Sequence, residues 1–288
     1  MRVAVSNLQL VSCLLFTPGT RPERFAKTAD SGADGIIIDL EDAVAAADKD
    51  AARQTVIAYL QQHGAVPAAR PFVTALRLNG LRTTAGLKDV VALAEAHVCP
   101  DVVVLPKVES PIEVEIVAAQ LQAARADVQC IALIETARGL DCAQEIAAAD
   151  APLGALAFGG VDLAADLGAT FEWESLLWAR SRLVQAAATA GIATLDAPYL
   201  DLQDLSGLEP ECQRARRLGF TGKLAIHPRH VPAIMSAFEP DAASVARAQR
   251  IVDAYDAAQG GVCEVDGKMI DVPVYRAALR TLARARRG

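Results

Sequence analysis

Eight short apolar runs alternate with longer segments of helical periodicity, and this alternation constrains the fold more than any other feature of the chain. Runs of near-continuous hydrophobicity are typical of parallel strands that are covered by helices. Eight such units without an interruption predict an α/β fold, a closed (β/α)8 TIM barrel. An open doubly wound sheet is the alternative, although no G-x-G-x-x-G follows the first run. The runs are SCLLFTP from Ser12, GIIIDLED from Gly35, FVTALRLN from Phe72, VVVLPKV from Val102, CIALIET from Cys130, ALAFGGVD from Ala155, IATLDAP from Ile192 and LAIHP from Leu224.

The pattern changes after the eighth unit. A helical pattern over Ala243–Gln259 is followed by the stretch VCEVDGKMID and by a last helical segment from Val274. The Asp266-Gly267 pair between two short apolar runs is a strong signal for a type I′ hairpin. We therefore predict a TIM barrel catalytic domain over residues 1–240 and a C-terminal helix–hairpin–helix extension over residues 241–288.

Composition and charge exclude several classes of protein. The formal net charge of −7 argues against a nucleic-acid partner, because such proteins present a concentrated basic surface. No apolar stretch is long enough to span a membrane, and the run Leu14–Phe16 is too short for a secretion signal. Six scattered cysteines without a C-x-x-C pair predict reduced thiols and a cytoplasmic location. One basic run is interpreted as a solvated helix end, and it consists of Arg280, Arg284, Arg286 and Arg287.

Polar side chains close nearly every apolar run. TIM barrel enzymes build their active sites at the C-terminal ends of the strands, so these side chains are the candidates for chemistry. Each carboxylate taken singly is also explained as the N-cap of the following helix. Eight converging strand ends would nevertheless collect at least four carboxylates at one mouth, where like charges require a cation. The candidates are Asp39, Glu41, Asp42, Arg77, Lys107, Glu135, Asp162, Asp196 and His227.

A hard divalent cation suits such a mouth. Magnesium takes one or two protein carboxylates and keeps water or substrate oxygens in its other positions, and manganese can replace it. Glu135 and Asp162, which follow adjacent strands, are the predicted ligands. Gly159 and Gly160 would let a substrate approach the backbone closely.

Three cationic residues are candidates for binding anions. Arg77 ends an apolar strand, and its guanidinium fork suits the carboxylate of a 2-oxo acid; a structural ion pair with Asp39 or Glu41 is the alternative. Arg21 and Lys27 flank a helix start where the phosphates of coenzyme A could bind, with ordinary surface charge as the alternative.

An ordered set of motifs runs from about Phe16 to Asp271, nearly the whole chain. The motifs are PGTRPERFAK, GADGIIIDLEDAV, LRLN, VVLPKVES, LIETARGL, FGGVDLAADLG, LDAPYLDLQDLSGL, AIHPRHV and GKMID. Together they resemble the citrate lyase beta subunit and malyl-CoA lyase family of the HpcH/HpaI aldolase superfamily. The resemblance implies a magnesium-dependent carbon–carbon lyase. Such an enzyme cleaves or forms a 3-hydroxyacyl-CoA, such as malyl-CoA or citramalyl-CoA, to an acyl-CoA and a small 2-oxo acid.

The resemblance also implies roles for individual residues. Asp271 of the MID motif would act as acid/base in the active site of a neighbouring subunit, which implies a homotrimer or hexamer and makes the C-terminal extension a lid or an oligomer contact. The other implied roles are magnesium binding for Glu135 and Asp162, contact with water on the metal for Glu41 and Asp42, substrate binding for Arg77, Glu135 and Gly160, and coenzyme A binding for Arg21 and Lys27.

Two departures from the family pattern lie near the expected coenzyme A end. Ser12 and Cys13 stand where an Arg-Ser pair is common, and Thr20 stands where aspartate is frequent. Three alternatives to this function stay open. They are a citrate lyase beta subunit acting on citryl-acyl-carrier protein, a metal-dependent 2-oxo acid aldolase without coenzyme A, and a non-catalytic protein that binds coenzyme A.

Overall fold

Eight parallel strands close into a barrel, which confirms the predicted (β/α)8 architecture. The computed structural model describes residues 8–66, 68 and 71–285, so Arg286 and Arg287 of the predicted basic helix end lie outside the described residues. Each strand pairs in parallel with the next, and β8 pairs with β1 through Cys13 opposite Lys223. The strands are β1 Cys13–Pro18, β2 Gly35–Asp39, β3 Val73–Arg77, β4 Val102–Leu105, β5 Gln129–Ile134, β6 Leu153–Phe158, β7 Ala193–Asp196 and β8 Gly222–Ala225.

Helices follow the strands around the outside of the barrel. The helical periodicity of the sequence over Trp173–Ala190 predicts a helix that the structure begins only at Leu177, because residues 173–176 form a turn in which the Trp173 ring packs on the Arg180 guanidinium at 4.6 Å. The periodicity over Pro111–Ala126 likewise predicts a helix that the structure ends at Leu121. The helices are α1 Phe25–Ala29, α2 Lys49–His63, α3 Thr84–Glu95, α4 Pro111–Leu121, α5 Ala137–Asp141, α6 Ala143–Ala147, α7 Gly160–Leu167, α8 Leu177–Ala190, α9 Leu205–Leu218, α10 Val231–Phe238, α11 Ala242–Ala257 and α12 Val272–Ala285.

Side chains fill the interior of the barrel, so it is a packed core rather than a channel. Alternate residues of each strand point inward, because successive side chains of a strand lie on opposite faces. The interior residues include Ile37 of β2, Ala75 of β3, Leu133 of β5 and Leu195 of β7. The residues two positions after Ile37, Ala75 and Leu133 are therefore placed to line the mouth.

The chain divides into two compact units, Met1–Met235 and Ser236–Gly288. The second unit contains α11, a two-stranded hairpin and α12, packed around their own small core, which includes Ile251 and Leu282. The hairpin strands are β9 Cys263–Val265 and β10 Lys268–Ile270. Asp266 and Gly267 between them have φ values of 54° and 72°, as the predicted type I′ turn requires.

Candidate active site

A cavity of about 420 Å³ opens at the C-terminal ends of the barrel strands. Its walls are largely apolar, with Phe16, Leu133, Phe158 and Ile226 among them. The polar part of its lining consists of Asp39, Asp42, Arg77, Glu135, Gly159, Gly160 and Asp162. Another cavity, of about 480 Å³, includes His97 and Arg125 in its lining and lies beside the loops that lead into the strands, at the end where TIM barrels do not carry catalysis.

Three of the polar side chains lie at this mouth because successive side chains of a strand alternate between its two faces. Asp39 follows the inward-facing Ile37 by two positions, and Arg77 follows Ala75 in the same way. Glu135 comes two residues after the inward-facing Leu133 and is 2% exposed. The predicted convergence of Asp39, Arg77 and Glu135 is thus present, and it rests on the two-residue period of the strands.

Arg77 is held by acidic neighbours and by an aromatic ring. Its Nε and Nη2 donate to Asp39 Oδ1 and Oδ2 at 2.8 and 2.7 Å, a bidentate pair. Its Nη1 lies 3.1 Å from Glu41 Oε2 and 3.2 Å from Asp42 Oδ2. The guanidinium carbon lies 4.8 Å from the centroid of Phe16. The ion pair with Asp39 considered as an alternative is therefore real, and Arg77 lines the cavity as well.

Lys107 connects two of the acids across the mouth. Its Nζ donates to Glu41 Oε1 at 2.7 Å, and its backbone N–H donates to Glu135 Oε1 at 2.9 Å. Burial would lower the pKa of Lys107, but the hydrogen bond to Glu41 and the charge of Glu135 outweigh burial and raise it. Lys107 is therefore charged and belongs to this site. The position of Lys107 in the sequence does not reveal its contacts with Glu41 and Glu135.

Glu135 is the most perturbed carboxyl of the cavity. Burial, and after it the charge of Glu41, raise its pKa to about 8. Burial also raises the pKa of Glu41, whose Oε2 is buried without a hydrogen bond of good geometry. In both residues burial disfavours the charged carboxylate more than the nearby cations Lys107 and Arg77 favour it.

Asp162 lies in the first turn of α7, two residues after the Gly159-Gly160 pair. A Cβ atom at Gly159 would overlap the Glu135 side chain, so this glycine lets the carboxylate pack against the backbone. A Cβ at Gly160 would lie 2.8 Å from the ring of Phe171 and 2.9 Å from the ring of Phe158. The glycine pair therefore makes room for Glu135 and two aromatic rings, and Gly160 itself lines the cavity.

Two of the strand-end candidates are wrong. Asp196 lies next to the inward-facing Leu195 and points out of the barrel, where it accepts hydrogen bonds from Arg180 Nε at 2.9 Å and Lys223 Nζ at 2.7 Å. His227 lies three positions after the inward-facing Leu224, and its Nδ1 accepts from the Arg229 N–H as a helix cap. Neither residue lines the cavity, because each has the opposite strand parity from the site residues.

The residues expected to bind coenzyme A, Arg21 and Lys27, and the residue expected to act in a neighbouring subunit, Asp271, are not among the residues that line the cavity. Arg21 is exposed, and its Nη1 lies 3.6 Å from Glu23 Oε1. Lys27 is exposed on the five-residue helix α1. Asp271 belongs to the second unit, where its Oδ1 accepts a hydrogen bond from the Val274 N–H at 3.2 Å and caps α12. Their predicted roles stay predictions.

Two further residues support the site, and no sequence pattern identifies them as site residues. The Lys49 ammonium donates to the carbonyl oxygens of Leu40 and Glu41 at 3.0 and 2.7 Å and so fixes the acidic loop after β2. Phe16 supports Arg77 from the end of β1. These contacts join residues far apart in the chain or on different elements, and a polar or apolar pattern does not reveal them.

The donor chemistry of the cavity fits a hard cation. Four carboxylates line it with one guanidinium, an excess of negative charge. Within residues 8–66, 68 and 71–285, no set of three or more histidine, cysteine, aspartate or glutamate side chains is arranged to hold a metal ion by itself. Magnesium takes one or two protein carboxylates and completes its shell with water or substrate oxygens.

Comparison with known proteins identifies the family. The chain matches the family HpcH/HpaI aldolase/citrate lyase over residues 12–228 and the family C-C bond lyase of the TIM-barrel fold over residues 179–287. A citrate lyase subunit beta-like protein of Mycobacterium tuberculosis is 37% identical over 278 residues, with 94% of each chain covered. The L-malyl-CoA/beta-methylmalyl-CoA lyase of Rhodobacter capsulatus is 34% identical, with 94% of this chain and 93% of that protein covered.

Two similar solved structures contain magnesium together with a small oxo acid. Protein CitE from M. tuberculosis in complex with magnesium, acetoacetate and coenzyme A has a TM-score of 0.78 and 36% identity, with 96% of this chain and 99% of that chain covered. The citrate lyase beta subunit from M. tuberculosis complexed with oxaloacetate and magnesium has a TM-score of 0.69 and 37% identity, with 81% of this chain and 100% of that chain covered. With one family match spanning most of the barrel and relatives about a third identical over nearly their whole length, this chain belongs to the HpcH/HpaI aldolase/citrate lyase family of carbon–carbon lyases.

Proposed function

We propose that the protein is a magnesium-dependent lyase that cleaves or forms a 3-hydroxyacyl-CoA, of the malyl-CoA or citramalyl-CoA kind, to an acyl-CoA and a 2-oxo acid. The observation that carries the proposal is the cavity at the strand ends, in which one guanidinium and four carboxylates meet on apolar walls. The lyase activity of the family and the magnesium and coenzyme A complex of the mycobacterial CitE support it.

Glu135 and Asp162 are the residues that would hold magnesium, with manganese as a substitute. Their carboxylate oxygens suit a hard cation, and both residues line the cavity. When bound, the ion supplies Lewis-acid polarisation of the oxo acid and stabilises negative charge on its oxygen. Glu41 and Asp42 contribute further negative charge beside Arg77.

Arg77 would orient the carboxylate of the 2-oxo acid. Its Nε and Nη2 are engaged by Asp39, which fixes the plane of the guanidinium. Nη1 makes only the longer contacts to Glu41 and Asp42 and is the nitrogen left to meet a substrate oxygen. Gly160 adds a backbone surface without a side chain to the lining.

Asp271 would move the proton. In the synthetic direction it takes a proton from the α-carbon of the acyl thioester. That carbon then forms a bond to the oxo carbon of the 2-oxo acid, whose C=O electron pair moves to the oxygen, and the oxygen takes a proton from solvent to become the hydroxyl group. In cleavage the hydroxyl proton returns to solvent, the carbon–carbon bond breaks as the C=O bond re-forms, and Asp271 returns its proton to the α-carbon. We propose that Asp271 acts in the site of a neighbouring subunit of a homotrimer or hexamer. Val262 and Met269, both 67% exposed, give the hairpin next to it an apolar surface that such a contact would cover.

The charge of the cavity favours a 2-oxo acid with one carboxylate. Its formal charge is three negative units, and a divalent cation would leave one. A substrate with two carboxylates would need a second cation, whereas Arg77 is the single cation among the described lining residues. Glyoxylate from malyl-CoA and pyruvate from citramalyl-CoA therefore suit the cavity better than oxaloacetate. The oxaloacetate complex of the mycobacterial protein favours the second candidate, a citrate lyase beta subunit acting on citryl groups.

Coenzyme A would bind near the segment that follows β1, where Arg21 and Lys27 are the candidates to contact its phosphates. Both side chains are exposed and available to an anion. We propose a cytoplasmic location, in keeping with six cysteines that are all free thiols. Among the described residues, no helix has both the length and the hydropathy needed to cross a membrane.

A panel of thioesters tests the proposal. Malyl-, methylmalyl-, citramalyl-, 3-hydroxy-3-methylglutaryl- and citryl-CoA are each incubated with magnesium, and released glyoxylate, pyruvate, acetoacetate or oxaloacetate is measured. We expect magnesium-dependent release of glyoxylate or pyruvate, which Glu135→Ala abolishes. The control is Glu174→Gln, an exposed carboxylate outside the cavity, which should keep full activity. Oxaloacetate release alone would favour the citrate lyase alternative, and turnover without any metal would refute the proposal.

A further inference from the structure

Lys107 has a backbone conformation that lysine rarely adopts. Its φ is 53°, in the left-handed region, where a side chain with a Cβ costs free energy that glycine avoids. Three other described non-glycine residues share this conformation: His97 and Gln259 lie two residues after the last residue of α3 and α11, and Asp266 lies in the hairpin turn. Lys107 instead follows β4 at the mouth of the barrel, where strain is a reason to ask what the side chain does.

The backbone at Lys107 aligns the loop after β4 with β5. The Lys107 N–H donates to Glu135 Oε1 at 2.9 Å, and the next N–H, of Val108, donates to the Leu133 carbonyl at 3.4 Å. Glycine could supply the same N–H without strain. The backbone role therefore does not explain why a lysine occupies the position.

The side chain of Lys107 lies between two acids that come from different parts of the barrel. Its Nζ is 2.7 Å from Glu41 Oε1, in the loop after β2, and 3.7 Å from Glu135 Oε1, after β5. Glu41 and Glu135 are both buried, so repulsion between their charges is screened little by water. One ammonium thus lies beside two buried carboxyl groups, and 40% of its side chain remains exposed.

We propose that Lys107 is a positioning residue of this site, whose ammonium holds Glu41 and Glu135 in place as an internal cation. The inference rests on the proposed function, because Glu135 is the candidate magnesium ligand. Its consequence has a definite sign. A fixed positive charge 3.7 Å from Glu135 repels a divalent ion at that carboxylate, so Lys107 weakens metal binding while it keeps the acids in their productive places.

Removing the charge should therefore move metal affinity and turnover in opposite directions. In Lys107→Met, we expect Mn2+ binding, followed by the electron paramagnetic resonance of free Mn2+, to become several-fold tighter. A divalent ion gains about twice as much as a competing proton from loss of the positive charge. We expect kcat on the active thioester to fall about tenfold or more, because Glu41 loses its hydrogen-bond donor.

Three further variants separate the charge from the backbone. Lys107→Arg keeps the charge and should keep both metal affinity and most turnover. Lys107→Gly keeps the N–H to Glu135 and relieves the positive φ, so it should melt at a higher temperature than Lys107→Met while showing the same gain in metal affinity. Lys88→Met removes an exposed lysine of α3 outside the cavity and should change neither property.

The outcomes distinguish this inference from the proposed function. If Lys107→Met binds Mn2+ more weakly than the wild type, or keeps its turnover, Lys107 is not the internal cation described here. If the wild-type protein binds neither Mn2+ nor Mg2+, the proposed function fails and this inference with it. Wild-type binding that Lys107→Met leaves unchanged overturns this inference alone.

Discussion

Glu135 combines deep burial with acidic neighbours, and its protonation couples the site to pH. Its pKa is raised from an ordinary value of 4.5 to about 8, so the folded protein holds this proton where the unfolded chain has lost it. In the metal-free protein this contribution to stability is therefore present below about pH 4.5 and is lost as the pH rises toward about 8. Metal binding should restore the stability that is lost at high pH, because the ion takes the place of the proton at Glu135.

Magnesium binding should release about one proton at pH 7 and almost none at pH 10. The reason is that Glu135, with a pKa of about 8, must ionise before it can bind the ion. The apparent Kd should weaken about tenfold per pH unit below pH 8. Calorimetry in buffers of different ionisation enthalpy measures the release. Glu135→Gln should abolish it and Glu174→Gln should not; a release that does not vary with pH would show that another group binds the ion.

Asp271→Asn should lose turnover about 100-fold or more without loss of folding. Asparagine caps helices about as well as aspartate, so the Val274 N–H keeps its partner at the start of α12, whereas the proton-transfer group is gone. Thermal melting and Mn2+ binding should match the wild type. Asp271→Ala should lose both turnover and about 0.5–2 kcal/mol of helix stability. Near-normal turnover in the asparagine variant would remove Asp271 from the mechanism.

At the scale of elements, β7 and β8 carry charges on the outer face of the barrel rather than at its mouth. Asp196 and Lys223 are completely buried there, with Arg180 of α8 on one side and Glu211 of α9 on the other. The two cations hold the pKa of Asp196 below its usual range, although burial alone would raise it. Arg180 also lies 4.8 Å from the Phe158 centroid, so this network joins the sheet to α8 behind the cavity wall.

Asp196→Asn should destabilise the protein by about 3–5 kcal/mol, because it removes the carboxylate that pairs with the buried Arg180 and leaves the buried Lys223 with Glu211 alone. Lys223→Met should cost less, since Asp196 keeps Arg180 and the partly exposed Glu211 can turn to water. Urea denaturation of both variants measures the difference. Equal losses, or a larger loss in Lys223→Met, would contradict this account of the network.

At the scale of the whole molecule, the candidate cavity and Asp271 belong to different compact units of the chain. The proposed oligomer makes a complete site from the barrel of one subunit and the hairpin of another. Closed symmetry would then repeat this arrangement at every site. An assembly of this kind can be tested without a structure of it.

Co-expression of Glu135→Ala and Asp271→Asn chains should restore roughly a quarter of wild-type turnover if Asp271 acts across a subunit boundary. With random assembly, that is the fraction of sites that combine an intact Glu135 with an intact Asp271 from the neighbour. Differently tagged chains, purified through both tags and assayed on the active thioester, provide the measurement. No recovery in verified mixed oligomers would place Asp271 in the site of its own chain.

The order of strands and helices, the closed barrel and the hairpin turn were predictable from the sequence. Apolar runs, helical periodicity and the Asp266-Gly267 turn depend on neighbours within a few residues, which a linear pattern records. The convergence of Asp39, Arg77 and Glu135 followed from the barrel topology, because strand ends in a closed parallel sheet meet at one mouth.

Only the tertiary structure decided which polar strand ends face the cavity and what holds them. Strands of a barrel are buried on both faces, so their hydrophobicity does not alternate, and Asp39 and Asp196 look equivalent in sequence. The structure places Asp39 inward and Asp196 outward. It also brings Lys107 to Glu41 across 66 positions of the chain, a contact that depends on how the barrel closes and not on any local pattern.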